Sequence, residues 1–127
     1  GVFRRQRQMC IRDSLNAIIT SVGDLSDNTH ILSSGIISEN DLEEVKDAGG
    51  AGWLCSGFIQ ADGTMLPHRL EERMIAIQLE DILSTPKRIL VASGLKKVSA
   101  VVAALRGKFV THAILDFELA QAILDQS

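Results

Sequence analysis

The segment RILVASGLKKVSAVVAALRGKFVTHAILD, residues 88–116, constrains the fold more than any other part of the chain. Its first residues, Arg88–Ala92, form a short apolar run that ends at Ser93-Gly94, which is typical of a buried strand running into a loop. Apolar residues then recur at helical spacing and predict one apolar helix face: Val98, Val101, Val102 and Leu105. Gly107 predicts the end of that helix, so the segment is expected to be strand, loop, helix and strand.

The rest of the chain alternates helical and strand-like segments in the same way. Leu15–Val22 is an apolar, β-branched run that stops at a turn signal, as a central strand of a parallel sheet would. Ser38 is a predicted N-cap with Asp41 at the capping-box position, and Gly49-Gly50 is expected to end that helix. The remaining predicted elements are a strand at Ala51–Ile59, an ambiguous helix or strand over residues 67–83, a strand at Val110–Leu115 and a helix at Glu118–Asp125.

This alternation predicts an α/β fold, a Rossmann-like parallel sheet with helices covering both faces. The apolar fraction of 46% supplies enough residues for such a core in 127 residues, which is one domain or a piece of one. No apolar run approaches the roughly 18 residues of a membrane helix. There is no secretory signal, so we expect a cytoplasmic protein without a membrane partner.

Charge separates the first fourteen residues from the remainder. They hold four arginines and one aspartate, so 9 of the 13 basic and 15 of the 16 acidic residues follow, a net charge of −6. Such an acidic body is a poor partner for DNA phosphates. The segment GVFRRQRQMCIRDS also lacks apolar periodicity. We therefore predict that residues 1–14 are a non-native or disordered tail, with a basic nucleic-acid-binding arm as the alternative.

Nothing in the sequence predicts a metal, a cofactor or a catalytic constellation. Cys10 and Cys55 are far apart, and the three histidines lack ligand spacing. A buried structural thiol is the simpler interpretation of Cys55. The chain has no G-x-S-x-G, P-loop or G-x-G-x-x-G motif and no carboxylate pair at a useful spacing, so no catalytic residue is assigned.

Ligands of an open parallel sheet bind beyond the carboxyl ends of its strands. Three predicted strand ends carry notable residues: Gly23-Asp24, Ser93-Gly94 and Asp116. Gly94 permits a sharp turn and a close backbone approach, and the next helix would point free N–H groups at an anion. Lys96 and Lys97 are expected in its first turn, where cations oppose the helix dipole by roughly 0.3–1 kcal/mol each. A bound phosphate would reverse that sign; two solvated lysines are the alternative.

Three further residues have two interpretations each. Asp116 could accept hydrogen bonds from sugar hydroxyls or cap the last helix, and the cap is favoured. Asp24 has the same choice, with turn chemistry favoured. Trp53, the only tryptophan, could stack on a sugar, although a core or interface position is more common.

Several motifs in the right order resemble the sugar-binding domain of SorC-family transcription regulators. ASGLKKVSAVVAALRGKFVTHAILD is similar to the family's AGGxxKAxAIxAALRGGxVxxLxTD, and RMIAIQLEDIL to its RVIGIxLEDL. DAGGAGWLCSGFIQADG resembles AGAVGDIxxRFFDxxG, and IITSVGDL resembles a strand ending in G-I-G. The resemblance covers Leu15 to about Leu124.

The resemblance implies a fold similar to sugar-phosphate isomerases and CoA-transferases, here truncated at its N-terminus. Residues 15–127 would be the C-terminal portion of an effector domain that senses a phosphorylated sugar or polyol. The complete proteins are homo-oligomers, usually tetramers, that bind DNA through an N-terminal helix-turn-helix, which this chain lacks. Lys97 matches the family's phosphate-side lysine, Ser93-Gly94 its Gly-Gly loop and Asp116 its T-D aspartate.

Two departures concern ligand binding. Trp53 and Gln60 stand where the family has aspartates that are plausible hydroxyl-binding groups. The leading hypothesis is therefore a non-enzymatic effector-sensing module of a sugar-responsive regulator. The alternatives are a fragment of a sugar-phosphate isomerase or deaminase of the same fold, which would require a general base, and a degenerate domain that survives as an oligomerisation surface.

Overall fold

A computed structural model describes residues 15–26 and 29–126. The strands are β1 (Ala17–Thr20), β2 (Val22–Gly23), β3 (Gly50–Leu54), β4 (Gly57–Gln60), β5 (Met65–Leu66), β6 (Lys87–Ala92) and β7 (His112–Leu115). The helices are α1 (His30–Ser33), α2 (Glu39–Asp47), α3 (Leu79–Ser84), α4 (Val98–Arg106) and α5 (Phe117–Asp125). Two 3-10 segments occupy Arg69–Arg73 and Leu95–Lys97. The predicted tail at residues 1–14 lies outside the described residues.

The predicted parallel sheet is present, with three strands in the order β1-β6-β7. The strand–loop–helix–strand prediction for residues 88–116 is confirmed by β6, α4 and β7. The prediction that Leu15–Val22 is a central strand is wrong, because β6 is the central strand and β1 lies at an edge of this sheet. The run is also divided: Ser21 separates β1 from β2, which belongs to a different sheet.

The second sheet is antiparallel, with the order β2-β3-β4-β5. The prediction of one strand at Ala51–Ile59 is wrong, since this run is a hairpin closed by the two-residue turn Cys55-Ser56 between the paired Leu54 and Gly57. Cys55 has a φ of 55°, which the sequence did not signal because glycine usually supplies that conformation. The Ser56 hydroxyl donates to the Ile77 carbonyl at 3.0 Å and holds the turn in place.

The antiparallel sheet lies between two apolar clusters. Ile59 belongs to the cluster that includes α4 and the parallel sheet, while its neighbour Phe58 belongs to the cluster around α2. These adjacent side chains point to opposite faces, and they are 0% and 2% exposed. Both faces of this sheet are therefore buried.

Helix α4 packs through a face that overlaps only partly with the one that its apolar pattern predicts. Its fully buried residues are Ala100, Val101, Ala103 and Ala104. By contrast, Leu105 is 38% exposed. A Cβ on Gly52 of β3 would lie 2.7 Å from the Ala100 Cβ, so helix and strand are in close contact. The closest contact between helix and strand is therefore made by two small residues, Gly52 and Ala100.

The prediction that helices cover both faces of the parallel sheet is confirmed for one face in the described ranges. Leu90 and Ala92 of β6 are buried in the main cluster, but Val91 between them is 42% exposed. Ile19 of β1 and Ile114 of β7 are 71% and 60% exposed. The other face of this sheet is thus apolar and uncovered by residues 15–26 and 29–126.

Candidate functional site

Ser21 marks the place where the chain leaves the parallel sheet and enters the antiparallel one. Two clefts meet there, and both are lined by Ser21 and Lys97. The first, of about 480 Å³, extends towards the loop after β2 and the hairpin turn after β3. The second, of about 400 Å³, lies at the carboxyl ends of β6 and β7. The Lys97 ammonium donates to the Ser21 hydroxyl at 3.3 Å, so it lies between the two clefts.

The second cleft brings together Ser93, Lys97 and Asp116, three residues predicted for the site. The favoured interpretation, in which the Asp116 side chain caps the last helix, is wrong. Asp116 does occupy the N-cap position of α5, but its side chain makes no capping hydrogen bond. Its Oδ1 instead accepts a hydrogen bond from the Gly94 N–H at 3.1 Å. The carboxylate thus ties the strand end of β7 to the loop after β6.

Gly94 has the backbone conformation that the sequence predicts, with a φ of +97°. The placement of both lysines in the first turn of α4 is wrong, since Leu95–Lys97 form a 3-10 turn and Lys97 is the N-cap residue of α4. Lys97 turns towards Ser21, whereas Lys96 is exposed and lines neither cleft. The two adjacent lysines are therefore not equivalent.

The first cleft brings together Gly23, Asp24, Trp53 and Lys97. The favoured turn role of Asp24 is confirmed: its Oδ2 accepts from the Ser26 N–H at 3.2 Å and from the Ser26 hydroxyl. This Asx turn begins where β2 ends. The same carboxylate also lines the cleft, so its structural role leaves it at the site.

Trp53 lies directly on Gly23, its partner across β2 and β3. A Cβ added to Gly23 would lie 1.7 Å from the indole Nε1, so only glycine fits under the ring. The Nε1 atom is buried and has no hydrogen-bond partner among the described residues. Trp53 is partly buried against the α2 cluster and also lines the cleft. Both interpretations of Trp53, packing and ligand contact, therefore remain compatible with its position.

Six residues that line the first cleft were not predicted for the site, among them Thr29 and Cys55. Thr29 is 2% exposed, and its Oγ1 has no partner in the part of the chain that the structure describes. Cys55 lines the same cleft, its Sγ is 3.5 Å from the Thr20 hydroxyl, and burial raises the pKa of the thiol. Neither position has a sequence signal, since Thr29 lies in a polar loop and Cys55 in an apolar run.

Gln60 is the predicted site residue that the structure places elsewhere. It pairs with Gly50, at the opposite end of β3 from Trp53, three residues or roughly 10 Å along the strand. It lines neither cleft. The hairpin that the sequence concealed explains this, because a turn at Cys55-Ser56 sends β4 back from the cleft.

A second polar cluster lies at α2, away from both clefts. Asp41, Glu44 and His68 offer ligand atoms within 4.8 Å of one another. Arg69 donates to Asp41 at 2.5 Å and to Glu44 at 2.8 Å, and the hydrogen bond from Arg69 lowers the pKa of Glu44. The guanidinium supplies the positive charge that a metal ion would bring, so this cluster is a clamp between α2 and the segment after β5.

Comparison with known proteins identifies the family. The sugar-binding domain family matches residues 6–125. The deoxyribonucleoside regulator of Bacillus subtilis (strain 168) is 30% identical over 110 residues, which are 87% of this chain and 35% of that protein. Across five such relatives, the chain spans 31% to 41% of their length. These relatives are transcription regulators rather than enzymes.

Comparison with solved structures gives matches to transcription regulators as well. A transcriptional regulator from Streptococcus pneumoniae TIGR4 matches with a TM-score of 0.80 at 30% identity, over 91% of this chain and 44% of that one. The full-length sorbitol operon regulator SorC from Klebsiella pneumoniae shares the fold, with a TM-score of 0.84 at 20% identity over 94% of this chain and 39% of that one. Within residues 15–26 and 29–126, no helix has the length and apolar character to cross a bilayer. The chain therefore belongs to the sugar-binding domain family, whose matched relatives are transcription regulators.

Proposed function

We propose that the chain is the effector-sensing part of a bacterial sugar-responsive transcription regulator and binds a phosphorylated sugar or polyol at the two joined clefts. The position of Lys97 is the observation that carries this proposal. Its ammonium lies between both clefts, beside the carboxyl ends of β1 and β6, where ligands of parallel sheets bind. Its one hydrogen bond in the described residues is to a neutral hydroxyl, so its charge is available to a phosphate.

The remaining groups suit the sugar end of such a ligand. Asp116 uses Oδ1 for the Gly94 N–H, and its Oδ2 has no hydrogen-bond partner in the described ranges. A carboxylate oxygen accepts hydrogen bonds from sugar hydroxyls. It would repel a phosphate, however, and it already occupies the Gly94 N–H that the loop could have offered. We therefore assign the phosphate to Lys97, with Ser21 beside it, and hydroxyls to Asp116.

The wider role rests on the family. We propose that DNA binding belongs to other parts of a longer regulator, since the matched relatives extend well beyond this domain and the body of the chain is acidic. Assembly as a homo-oligomer, a tetramer in the complete protein, and a cytoplasmic location complete the proposal. In this proposal the domain senses its ligand without transforming it.

The test compares two adjacent lysines. Binding of a panel of phosphorylated sugars and their unphosphorylated counterparts would be measured by calorimetry for the native chain, Lys97→Ala and Lys96→Ala. A charge-assisted hydrogen bond to phosphate lost from Lys97 should weaken binding about tenfold or more. Lys96→Ala removes the same charge from an exposed position and should change affinity about twofold at most.

Equal losses in the two variants would mean that the chain attracts anions through net charge alone. Equal affinity for sugars with and without phosphate would also overturn the assignment of Lys97. Either result would leave the family membership intact and remove the proposed ligand class.

A further inference from the structure

The uncovered face of the parallel sheet carries an apolar surface that crosses all three strands. Ile19 of β1, Val91 of β6 and Ile114 of β7 are exposed on it, and we call them the uncovered surface. The strand register places Ile19 beside Ile89, and Val91 beside Ile114, in adjacent rows of one face. A continuous apolar surface therefore lies open within residues 15–26 and 29–126.

The size of the uncovered surface fits one helix. Neighbouring strands lie roughly 4.8 Å apart, so the outer strands β1 and β7 are separated by about 10 Å, which is the diameter of an α-helix with its side chains. The three side chains expose on the order of 300 Å² of apolar area. A standard interface between two proteins buries roughly 800 Å² on each partner. The area is therefore too small for a stable dimer of this chain, whereas a single helix can cover it.

The parallel sheet is also open beside β1. In the described ranges β1 pairs with β6, and its outer side has no partner strand. A further parallel strand would require a connection of a dozen or more residues, which is usually a helix packed on the sheet. The face that carries Leu90 is already filled by α4 and α5. A further helix over these three strands therefore has to lie on the uncovered face.

Solved relatives contain enough additional chain to supply such a helix. A domain of a possible sugar-binding transcriptional regulator from Arthrobacter aurescens TC1 matches with a TM-score of 0.83 at 25% identity, over 94% of this chain and 45% of that one. More than half of that domain thus lies outside the matched part. The two parts of one domain share an apolar contact, and the uncovered surface offers one.

We propose that the uncovered surface binds an amphipathic helix from another part of the same longer regulator. The helix presents an aliphatic stripe to Ile19, Val91 and Ile114 and completes the second helical layer of the parallel sheet. Val91 and Ile114 also line the second cleft, so the bound helix forms a wall of that cleft. This inference does not depend on which ligand the cleft binds.

A chimera tests the proposal. Residues 15–127 replace the matched segment of the Streptococcus pneumoniae TIGR4 regulator, and urea unfolding is measured for Ile114→Ala in the chimera and in the 127-residue chain. The midpoint should fall by about 1 M or more in the chimera, because the helix buries the side chain there, and by less than about 0.5 M in the isolated chain. Ile75→Ala is the control, since Ile75 is similarly exposed but lies in the segment after β5. It should shift both midpoints by less than about 0.5 M.

A smaller graft decides the matter if the chimera does not fold. It carries only Ile19, Val91 and Ile114 into the aligned positions of the Streptococcus pneumoniae regulator. Ile114→Asp in this graft should abolish cooperative unfolding, because a carboxylate would be buried under the helix without a partner. Aspartate at the position aligned with Ile75 should leave the midpoint within about 0.5 M of the parent graft.

Three results would overturn the proposal. The first is an equally small midpoint shift for Ile114→Ala and Ile75→Ala in the folded chimera. The second is a graft in which Ile114→Asp unfolds at the midpoint of its parent. The third is a large shift for Ile114→Ala in the isolated chain, and light scattering that shows a dimer there would assign the uncovered surface to a second copy. In each case the proposed role of Lys97 stands or fails by its own ligand measurements.

Discussion

The two sheets of this chain differ in how they are buried. In the antiparallel sheet, the neighbours Phe58 and Ile59 point to opposite faces and are 2% and 0% exposed. In the parallel sheet, the neighbours Leu90 and Val91 are 0% and 42% exposed. The antiparallel sheet is buried on both faces between two apolar clusters, and we call it the filled layer. The parallel sheet is buried on one face only.

This difference means that the most deeply buried sheet and the candidate site lie in different parts of the molecule. Parallel sheets are usually covered on both faces, so a bare apolar face is unusual for this architecture. The groups proposed to bind a ligand nevertheless lie where the two sheets meet, with Ser21 at the crossing and Lys97 beside it. The buried antiparallel sheet holds Trp53 at the first cleft, and the strand ends of the parallel sheet place Ser93 and Asp116 at the second.

Replacing one isoleucine in each sheet by alanine should test the difference in burial most clearly. Ile59→Ala creates a cavity in the filled layer and should lower the free energy of unfolding by about 4 kcal/mol. Ile114→Ala removes the same atoms from the bare face, where the side chain is 60% exposed, and should cost less than about 1 kcal/mol. Urea unfolding followed by circular dichroism measures both.

Similar losses in the two variants would contradict the comparison. They would mean that the exposed face of the parallel sheet is covered in solution, for example by association between chains. Light scattering on the same samples would then show an assembly that Ile114→Ala dissociates.

A glycine pair tests the packing of the filled layer at a second place. Gly63, in the turn after β4, has a φ of +91°, and a Cβ there would lie 2.1 Å from the Gly107 backbone nitrogen at the end of α4. Gly63→Ala should therefore cost about 3 kcal/mol in unfolding free energy, from backbone strain and overlap together.

Gly35→Ala is the control, because Gly35 has a φ of +77° but nothing within 4 Å of its added Cβ. It should show the strain alone, about 1–2 kcal/mol. Equal costs for the two alanines would show that the turn yields without disturbing α4, and that this contact does not hold the sheet to the helix.

The sequence predicted the elements that depend on local chemistry. The Ser38–Asp41 capping box is present, with the Ser38 hydroxyl accepting from the Asp41 N–H at 3.1 Å. The parallel strands β6 and β7 also lie where the apolar runs indicated. The hairpin at Cys55-Ser56 was missed because its left-handed residue is not glycine. The switch of sheet at Ser21 was missed because it depends on long-range pairing with β3.

The sequence predicted several of the residues that line the clefts, but not the hydrogen bonds that those residues make. The sequence predicted ligand positions at three parallel strand ends, and Ser93 and Asp116 do line one cleft with Lys97. Gly23 ends a strand of the antiparallel sheet instead and lines the other cleft. Gln60 was misplaced because its position depends on the hidden hairpin. The hydrogen bond from Gly94 to Asp116 was missed because the cap that the sequence favours is a local interaction, whereas the observed bond spans 22 residues.

Removing the capping box of α2 should change the free energy of unfolding by a smaller amount. Ser38→Ala removes the hydroxyl that accepts from Asp41 and should lower the free energy of unfolding by about 1 kcal/mol. Ser99→Ala, at an exposed position inside α4, should be neutral or slightly stabilising because alanine favours helix. A Ser38→Ala loss no larger than that of the control would show that other contacts hold this end of α2.

The Arg69 clamp should give the smallest effect, and its sign depends on pH. Hydrogen bonds lower the pKa of Asp41, chiefly from the Ser38 N–H, and of Glu44, chiefly from Arg69. A lowered pKa in the folded state means that the contribution to stability is present above the ordinary values of 3.8 and 4.5. That contribution is lost as the pH falls below them and through the folded-state pKa values.

Arg69→Ala should therefore flatten the loss of unfolding free energy between about pH 5 and pH 3, mainly by removing the share of Glu44. The share of Asp41 should persist, because Ser38 still donates to it. Arg73→Ala removes an exposed charge from the same segment and should leave the slope unchanged. If both arginine variants flatten the slope equally, general charge repulsion drives the acid response. If only Arg69→Ala does, the clamp holds the segment after β5 to α2 on the filled side of the molecule.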